Sequence, residues 1–308
     1  AHETYGVSLD DSKIVCSFCV RKGERCRKEE ALTNHVKGCT GVPTQTIIYS
    51  DLSGDIIPYP FYIAEWVEGN SADKKWTERG QKELKQIIRQ AGKYMGDLHA
   101  NIHFDKAGQL QANGHIQVVD GEPWKEYLQR EMRETIQELS DTRFADLQGE
   151  AKEYVENGME LLEDSIQNVL VHWDIRPENL IVKNGEIQAV LDFEKAIAGD
   201  AEYDIAYSEI HFMDSYWTPS NNTFPDSVDV DTLRKAFHKG YRKKHSMRDG
   251  WRERIAYYKI LELIQGMKSF DWWTKEIELP EEKQNQQAEW MRRKFRSSKK
   301  ELIVGEVE

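Results

Sequence analysis

One stretch of this 308-residue chain limits its possible folds more than any other: VHWDIRPENLIVKNGEIQAVLDFEKA, residues 171–196. A polar loop separates two apolar runs, and the second run continues into Asn184-Gly185, a dipeptide typical of tight hairpin turns. The stretch therefore predicts a buried strand, a loop and a β-hairpin. This arrangement would gather four polar side chains within a short distance: His172, Asp174, Asn179 and Asp192.

Two interpretations of these side chains are open. They could simply decorate a polar turn between buried strands, or they could handle a metal ion and a phosphate group. A hairpin brings Asn179 and Asp192 together, and their oxygens are hard ligands that suit Mg²⁺. Asp174 is then free to orient or deprotonate a substrate hydroxyl, which completes the minimum requirement of phosphoryl transfer. The flanking strands and the hairpin turn favour this second interpretation.

The segment VHWDIRPENLIV…AVLDFEKAIAGDAEYDIAY resembles the catalytic core of the aminoglycoside phosphotransferase and choline kinase-like family. The His-x-Asp-x-x-x-x-Asn pattern and the later Asp carry the resemblance, which extends from about Arg27 to Tyr207. It implies an α+β, protein kinase-like fold of two lobes. We expect a reduced, β-rich N-lobe over residues 1–67 and a large, mostly helical C-lobe over residues 68–308.

The resemblance also implies roles for the residues of the motif. Asp174 would be the catalytic base, and His172 would brace the catalytic loop through hydrogen bonds. Asn179 and Asp192 would hold Mg²⁺ and thereby the nucleotide. Asp204, in GDAEYDIAY, resembles the buried Asp that steadies the same loop in the family.

A second segment, FYIAEWVEG, resembles the hinge strand of the family. The resemblance implies that its backbone contacts the base of ATP, or of GTP, at three residues: Glu65, Trp66 and Val67. The segment GDLHAN, residues 96–101, resembles the Leu-His part of the long helix that opens the large lobe. The implied reaction is transfer of the γ-phosphate to a hydroxyl of a small acceptor that is polar and cationic, such as an aminoglycoside-like compound or an amino-alcohol.

The N-terminal part departs from the family pattern. Only Gly6 is present where a glycine-rich loop normally covers the phosphates, and the strand expected to carry a phosphate-binding Lys reads Cys16-Ser17-Phe18-Cys19. Glu29 or Glu30 resembles the usual partner of that Lys, yet no Lys is visible for it. Trp173 stands where the family usually has Gly, so the shape of the loop is open. These departures keep an alternative function open: a catalytically weak or dead kinase-like binding module.

All four cysteines lie between positions 16 and 39. Their spacing, with one histidine, resembles that of a zinc finger and predicts a tetrahedral zinc site that would stiffen the N-lobe. The predicted ligands are Cys16, Cys19, His35 and Cys39. Cys26 could be a further ligand or could fill the core. The other interpretation is four buried thiols with His35 on an ordinary helix.

Composition narrows the possible partners. The net charge of −12 argues against a nucleic-acid partner, because binding to nucleic acid requires a basic face. No apolar run approaches the ~20 residues that span a bilayer. We therefore expect no membrane partner and a cytoplasmic location, and the sequence leaves the oligomeric state open. Glu209 and Asp214 follow the motif and could meet a substrate amine, or they could be solvated loop carboxylates.

Overall fold

The N-terminal part of the chain is one antiparallel sheet with a single helix. A computed structural model describes residues 3–10, 12–20, 23–214 and 224–304. The sheet has the order β1-β2-β4-β3, and β2 pairs with both β1 and β4. The elements are β1 (Glu3–Leu9), β2 (Ser12–Phe18), α1 (Gly23–Cys39), β3 (Ile47–Asp51) and β4 (Phe61–Glu65).

The predicted zinc site is wrong. Cys19 follows β2 directly and forms a disulfide with Cys26 on the first turns of α1. Cys16 lies within β2 and Cys39 ends α1, where both are free thiols. His35 is exposed on α1, and within the described residues no three His, Cys, Asp or Glu side chains are close enough to hold a metal ion. The prediction from spacing is wrong because the four cysteines do not surround one point. One lies within β2, one follows it, and two lie on α1.

A long helix and short strands connect this sheet to the catalytic segment. The bounds are β5 (Asn70–Ser71), α2 (Gln81–Asn101), β6 (His103–Phe104), β7 (Ala107–Ala112), β8 (Ile116–Glu122), α3 (Trp124–Glu138) and α4 (Gln148–Gly158). Apolar residues of α2 recur at helical spacing and are buried, among them Leu84, Ile88 and Met95. The boundary between the two lobes, between residues 67 and 68, stays a prediction.

The catalytic segment contributes strands to two further sheets. Its elements are β9 (Asn168–Val171), β10 (Leu180–Lys183), β11 (Glu186–Val190), β12 (Ile197–Gly199) and α5 (Ala201–Glu209). Strands β10 and β11 form a hairpin whose turn residues, Asn184 and Gly185, both have positive φ angles of 53° and 76°. The predicted hairpin is confirmed, and it pairs with β5 in a sheet of order β11-β10-β5. The other sheet has the order β6-β9-β12-β7-β8.

Four helices follow among the described residues: α6 (Val230–Tyr241), α7 (Trp251–Lys268), α8 (Phe270–Glu276) and α9 (Glu281–Val304). A π-helical turn, Ile210–Asp214, extends α5. Helices α2 and α6 pack closely because glycines face the neighbouring backbone. A Cβ at Gly92 would collide with the carbonyl of Phe237, and one at Gly240 with that of Arg89. None of the helices in the described part is long and apolar enough to cross a bilayer.

Candidate active site

Asp174 lies at the centre of the polar loop with its carboxylate almost completely buried. Its Oδ1 accepts hydrogen bonds from the Tyr207 hydroxyl at 2.7 Å and from Lys195 Nζ at 3.0 Å. Its Oδ2 accepts one from Asn179 Nδ2 at 2.8 Å, and Arg176 Nε lies 3.4 Å from Oδ1. Burial by itself would raise the pKa of Asp174, but the charges of Lys195 and Arg176 outweigh it and lower the pKa to about 2. The group is a carboxylate at neutral pH.

Asp204 fixes the backbone of this loop. It is fully buried at the start of α5, and its two oxygens accept the backbone N–H groups of His172 and Trp173, each at 2.9 Å. Its Oδ2 also lies 3.1 Å from Nε2 of His99, which α2 contributes from the predicted Leu-His segment. The loop is therefore tied to two helices through one carboxylate.

His172 is buried beside the loop, as its predicted bracing role requires. Its Nδ1 accepts the backbone N–H of Asp174 at 3.2 Å, and its ring packs on Phe193 with 4.4 Å between centroids. Burial lowers the pKa of His172, so the ring is neutral. Because the ring is neutral and bonded to the loop backbone, it can hold the loop but adds no charge to it.

Trp173 keeps the loop intact although it replaces the expected glycine. It has a φ of 55°, in the left-handed region that favours glycine. Its indole Nε1 donates to Glu262 Oε1 on α7 at 2.9 Å, and its ring packs on Tyr203. Burial raises the pKa of Glu262 to about 7. A distant carboxylate and an aromatic neighbour thus hold the strained residue in place.

Asn179 and Asp192 are brought together by the hairpin, as the sequence predicts. Asn179 ends a short helical turn, and its carbonyl accepts the N–H of Leu191 at 2.9 Å, next to Asp192. Its Nδ2 is used by Asp174, which leaves the amide Oδ1 as a possible ligand atom. Burial raises the pKa of Asp192, and the carboxylates of Asp174 and Glu194 raise it further. Hard oxygens in a region of crowded negative charge fit a divalent cation such as Mg²⁺.

A cavity of about 600 Å³ joins these two residues to the hinge segment. The residues Glu65, Trp66 and Val67 line it, and so do Asn179 and Asp192. The backbone N–H groups of Glu65 and Trp66 are already bonded to the carbonyls of Thr46 and Lys13. The cavity therefore brings together the predicted nucleotide and metal residues, with the hinge held by its own backbone contacts.

The N-terminal side of the cavity lacks the expected strand Lys. From β2, the cavity is lined by Val15 and by Ser17, which is buried. Glu29 lines it from α1, and its Oε2 is buried with no hydrogen-bond partner. Burial raises the pKa of Glu29 to about 8, and the charge of Asp192 adds to the effect. Of the two predicted candidates, Glu29 faces the cavity, and Glu30 instead accepts from Asn34 on the outer face of α1.

Glu209 and Asp214 are neither solvated nor available to a substrate amine. Lys259 Nζ lies 2.5 Å from Glu209 and 2.6 Å from Asp214, and Arg234 contacts both carboxylates. His238 Nε2 also contacts Glu209, at 2.5 Å. Burial would raise the pKa of Glu209, but Lys259 and His238 lower it well below its usual range. The cluster is an internal ion network that fastens α5 to α6 and α7.

Sequence reasoning missed three side chains that contact Asp174. Arg176 lies inside the motif, and Lys195 follows Asp192 by three positions. Tyr207 follows Asp204 by three positions, which places both on one face of α5. Helical spacing was therefore a usable signal for Tyr207, whereas nothing in the sequence singles out Lys195.

Comparison with known proteins identifies one family and several similar structures that share one fold. A family model described as a phosphotransferase enzyme family matches residues 2–253. A structure from Ralstonia eutropha JMP134, assigned to the aminoglycoside phosphotransferases, is 15% identical, with a TM-score of 0.67 over 99% of this chain and 92% of that one. The aminoglycoside phosphotransferase APH(4)-Ia is 14% identical, with a TM-score of 0.65 over 97% and 90% of the two chains. A thermostable mutant of it was solved with ADP and hygromycin B.

A further similar structure is the GDP and kanamycin complex of APH(2'')-IIIa. It is 14% identical and has a TM-score of 0.62 over 94% of this chain and 89% of that one. At these identities the structures show a shared fold, which is that of the predicted kinase-like family. A search of curated proteins found no match.

Proposed function

The chain belongs to the phosphotransferase enzyme family, and from this premise we propose that it transfers the γ-phosphate of ATP or GTP to a hydroxyl group of a small polar molecule. One observation carries the proposal: a single cavity joins the hinge residues to Asn179 and Asp192, and Asn179 is bonded to Asp174. The residues proposed for nucleotide and metal thereby line one cavity, and Asn179 connects them to Asp174. Relatives of the same fold bind ADP or GDP, which supports a nucleotide co-substrate.

Asp174 would hold the acceptor hydroxyl. With a pKa near 2 it is a weak base at the start of the reaction, so its first task is to accept a hydrogen bond and aim the oxygen. The proton would pass to Asp174 late, as the oxygen–phosphorus bond forms, because the transition state of such reactions is loose. Tyr207 and Asn179 keep the carboxylate in one orientation through hydrogen bonds from two sides. Orientation is therefore the main contribution of this residue.

Asn179 and Asp192 would hold Mg²⁺, which supplies positive charge to the phosphates of the nucleotide when bound. The hinge residues Glu65–Val67 would contact the base at the far end of the cavity. His172 and Asp204 touch no substrate in this scheme. They position the loop that carries Asp174 through the backbone bonds described above.

The acceptor is the least constrained part of the proposal. Aminoglycosides bind to relatives of the same fold, and the acidic net charge of the chain is compatible with a cationic acceptor. The immediate surroundings of Asp174 are cationic, however, because Lys195 and Arg176 lie within 3.4 Å of it. An acceptor amine would need other carboxylates, and Glu209 and Asp214 are already paired. Aminoglycosides and amino-alcohols come first in a screen, with uncharged and anionic hydroxyl compounds included.

The experiment is a screen of nucleotide consumption over aminoglycosides, choline-like amines, amino-alcohols and sugars. We expect at least one acceptor to stimulate Mg²⁺-dependent release of ADP or GDP and to gain a phosphoryl group detectable by mass spectrometry. The Asp174→Ala protein is the matched control for contaminating kinases. Stimulation that is equal in this variant would contradict the assignment.

A second candidate function is a kinase-shaped binding module with little or no turnover. The observation that favours it is that β2 contributes Val15 and Ser17 rather than a Lys to the cavity, and that the Oε2 of Glu29 there has no hydrogen-bond partner. Thermal denaturation with and without Mg-ATP separates the two candidates. Stabilisation that depends on Mg²⁺ favours the enzyme, and the absence of any stabilisation favours the binding module.

A further inference from the structure

A second cavity, of about 430 Å³, shares the lining residue Glu194 with the nucleotide cavity. Helix α1, the β7–β8 hairpin and the catalytic segment enclose it. Its polar lining residues from the hairpin are Gln109, Gln111 and Asn113, and Trp173 forms part of the wall. Its charged lining residues are Glu24, Arg25, Arg27, Lys28, Glu194 and Lys195. Four cations against two carboxylates leave two positive charges in surplus.

Lys28 is the unusual member of this set. Only 7% of its surface is exposed, and it makes no hydrogen bond or ion pair with any of the residues that the structure describes. The other cations have partners: Arg25 pairs with Glu194 at 2.9 Å, Lys195 with Asp174 at 3.0 Å, and Arg27 with the carbonyl of Leu52. Burial and the charge of Arg25 lower the pKa of Lys28 to about 8, and the nearby carboxylates of Glu194 and Glu29 offset part of this effect.

We propose that this cavity binds a phosphate group of a small molecule, with Lys28 as its main cationic contact. A phosphate group suits this cationic lining, and it has enough oxygens to accept hydrogen bonds from a Lys, an Arg and the hairpin amides. The bound phosphate would give Lys28 the direct ion pair that it lacks among the described residues. Neither the nucleotide cavity nor the residues assigned to Mg²⁺ include Lys28.

The location of the cavity connects it to catalysis, and this connection rests on the proposed function. Lys195 lines the cavity and also contacts Asp174, and Glu194 lines both cavities. A phosphate bound at Lys28 would attract Lys195 and Arg25 and would therefore change the charge around Asp174. The phosphate could belong to the acceptor itself or to a separate effector, and the two sources share the same recognition chemistry.

The test uses inorganic phosphate as the probe, without Mg²⁺ and with saturating ADP, so that the nucleotide cavity is filled. We expect phosphate to stabilise the wild-type protein against heat and to bind in calorimetry. Lys28→Met should weaken this binding at least about tenfold, which is about 1.4 kcal/mol. The matched control is Lys125→Met, which removes a lysine paired with Asp164 at 3.1 Å on the surface and should leave phosphate binding unchanged.

A second measurement separates a binding role of Lys28 from a structural one. Without phosphate, Lys28→Met should be at least as stable as the wild type, because the substitution removes an unpaired buried charge. Equal phosphate affinity in wild type and Lys28→Met, no phosphate binding by the wild type, or a destabilised Lys28→Met each overturn the proposal. None of these readouts depends on phosphoryl transfer, so failure of the proposed function is detected separately.

Once an acceptor is known, steady-state kinetics separates the two sources of the phosphate group. Competition between phosphate and the acceptor assigns the cavity to a phosphorylated acceptor. A change in turnover without competition assigns it to an effector. In either case the effect should disappear in Lys28→Met and persist in Lys125→Met.

Discussion

The catalytic segment and the N-terminal lobe differ in how many partners their buried carboxylates have. Around Asp174 and Asp204, each carboxylate has several donors, and the charged partners Lys195 and Arg176 lie within 3.4 Å of Asp174. Across the nucleotide cavity, Glu29 is equally buried but faces Ser17 instead of a Lys. Asp174 and Asp204 are therefore fully paired without a ligand, whereas the Oε2 of Glu29 has no hydrogen-bond partner.

This difference indicates how the work of a phosphotransferase is divided here. A complete site can hold its geometry without a ligand, whereas an incomplete one depends on a ligand for its final charge balance. The N-terminal lobe is held by a covalent bond, Cys19–Cys26, between the end of β2 and α1. In the family that the chain resembles, a Lys–Glu pair makes a comparable connection. The disulfide therefore links the strand to the helix covalently, but it supplies no charge to the cavity.

The largest expected effect is on Asp174. Asp174→Ala should lower kcat by about 10³-fold, because orientation and proton acceptance are both lost. Nucleotide affinity should change by less than about threefold, since Asn179 and Asp192 remain. Steady-state kinetics and calorimetric nucleotide binding check the two halves. Asp164→Asn, a surface change, is the control, and an unchanged kcat in Asp174→Ala would remove Asp174 from the mechanism.

The next effect concerns the completeness of the catalytic segment. Asp204→Asn replaces one of the two accepting oxygens with a donor that faces backbone N–H groups, so we expect a loss of about 3 kcal/mol in the free energy of unfolding. Chemical denaturation measures it. A loss below about 1 kcal/mol would mean that the loop backbone does not depend on this carboxylate.

Glu262, which accepts from Trp173 of the catalytic loop, resembles Glu29 in that burial raises its pKa. Its folded pKa of about 7 lies above the usual value near 4.3, so the folded state binds its proton more tightly. Its contribution to stability is therefore complete below pH ~4.3 and is lost as pH rises to about 7. Relative to the wild type, Glu262→Gln should gain about 2 kcal/mol between pH 5 and pH 8.

Denaturation curves of Glu262→Gln and wild type at the two pH values test this expectation. The difference between the two proteins isolates Glu262, because other titrating groups are common to both. A constant difference would mean that Glu262 is ionised throughout the range. In that case the indole of Trp173 donates to a charged carboxylate, and the catalytic segment differs from the N-terminal lobe in this carboxylate as well.

The disulfide should have a moderate effect. Replacing Cys19 and Cys26 by Ser should lower the free energy of unfolding by about 2 kcal/mol, because the closed loop is short. Cys16→Ser and Cys39→Ser, which remove free thiols, are the matched controls and should change it by less than about 1 kcal/mol. Reducing agent should reproduce the loss in wild type only. Equal stability of the double variant would show that packing alone holds α1 to β2.

The sequence predicts interactions that are close along the chain and misses those that join distant residues. The Asn184-Gly185 turn and the convergence of Asn179 with Asp192 follow from spacing and turn chemistry. The ion pairs of Glu209 and Asp214 with Lys259 do not, because 50 and 45 positions separate the partners. The cysteines were misread for a related reason. Spacing permits a metal site or a bridge, and only the position of α1 against β2 decides between them.

The smallest expected effect tests the comparison most directly, and it concerns Glu29. In a lobe with a Lys–Glu pair, neutralising the Glu would remove the pair, but Glu29 has no cation to lose. With a pKa of about 8, Glu29 is mostly protonated at neutral pH, so Glu29→Gln replaces one neutral buried group with another, and the amide oxygen can still accept from the backbone near Asp192. We therefore expect turnover within about threefold of wild type and a free energy of unfolding that is unchanged or higher.

Glu30→Gln, on the outer face of α1, is the matched control. A tenfold loss of turnover in Glu29→Gln alone would show that a cation reaches Glu29 in the working enzyme, and the N-terminal lobe would then complete its charge as the catalytic segment does.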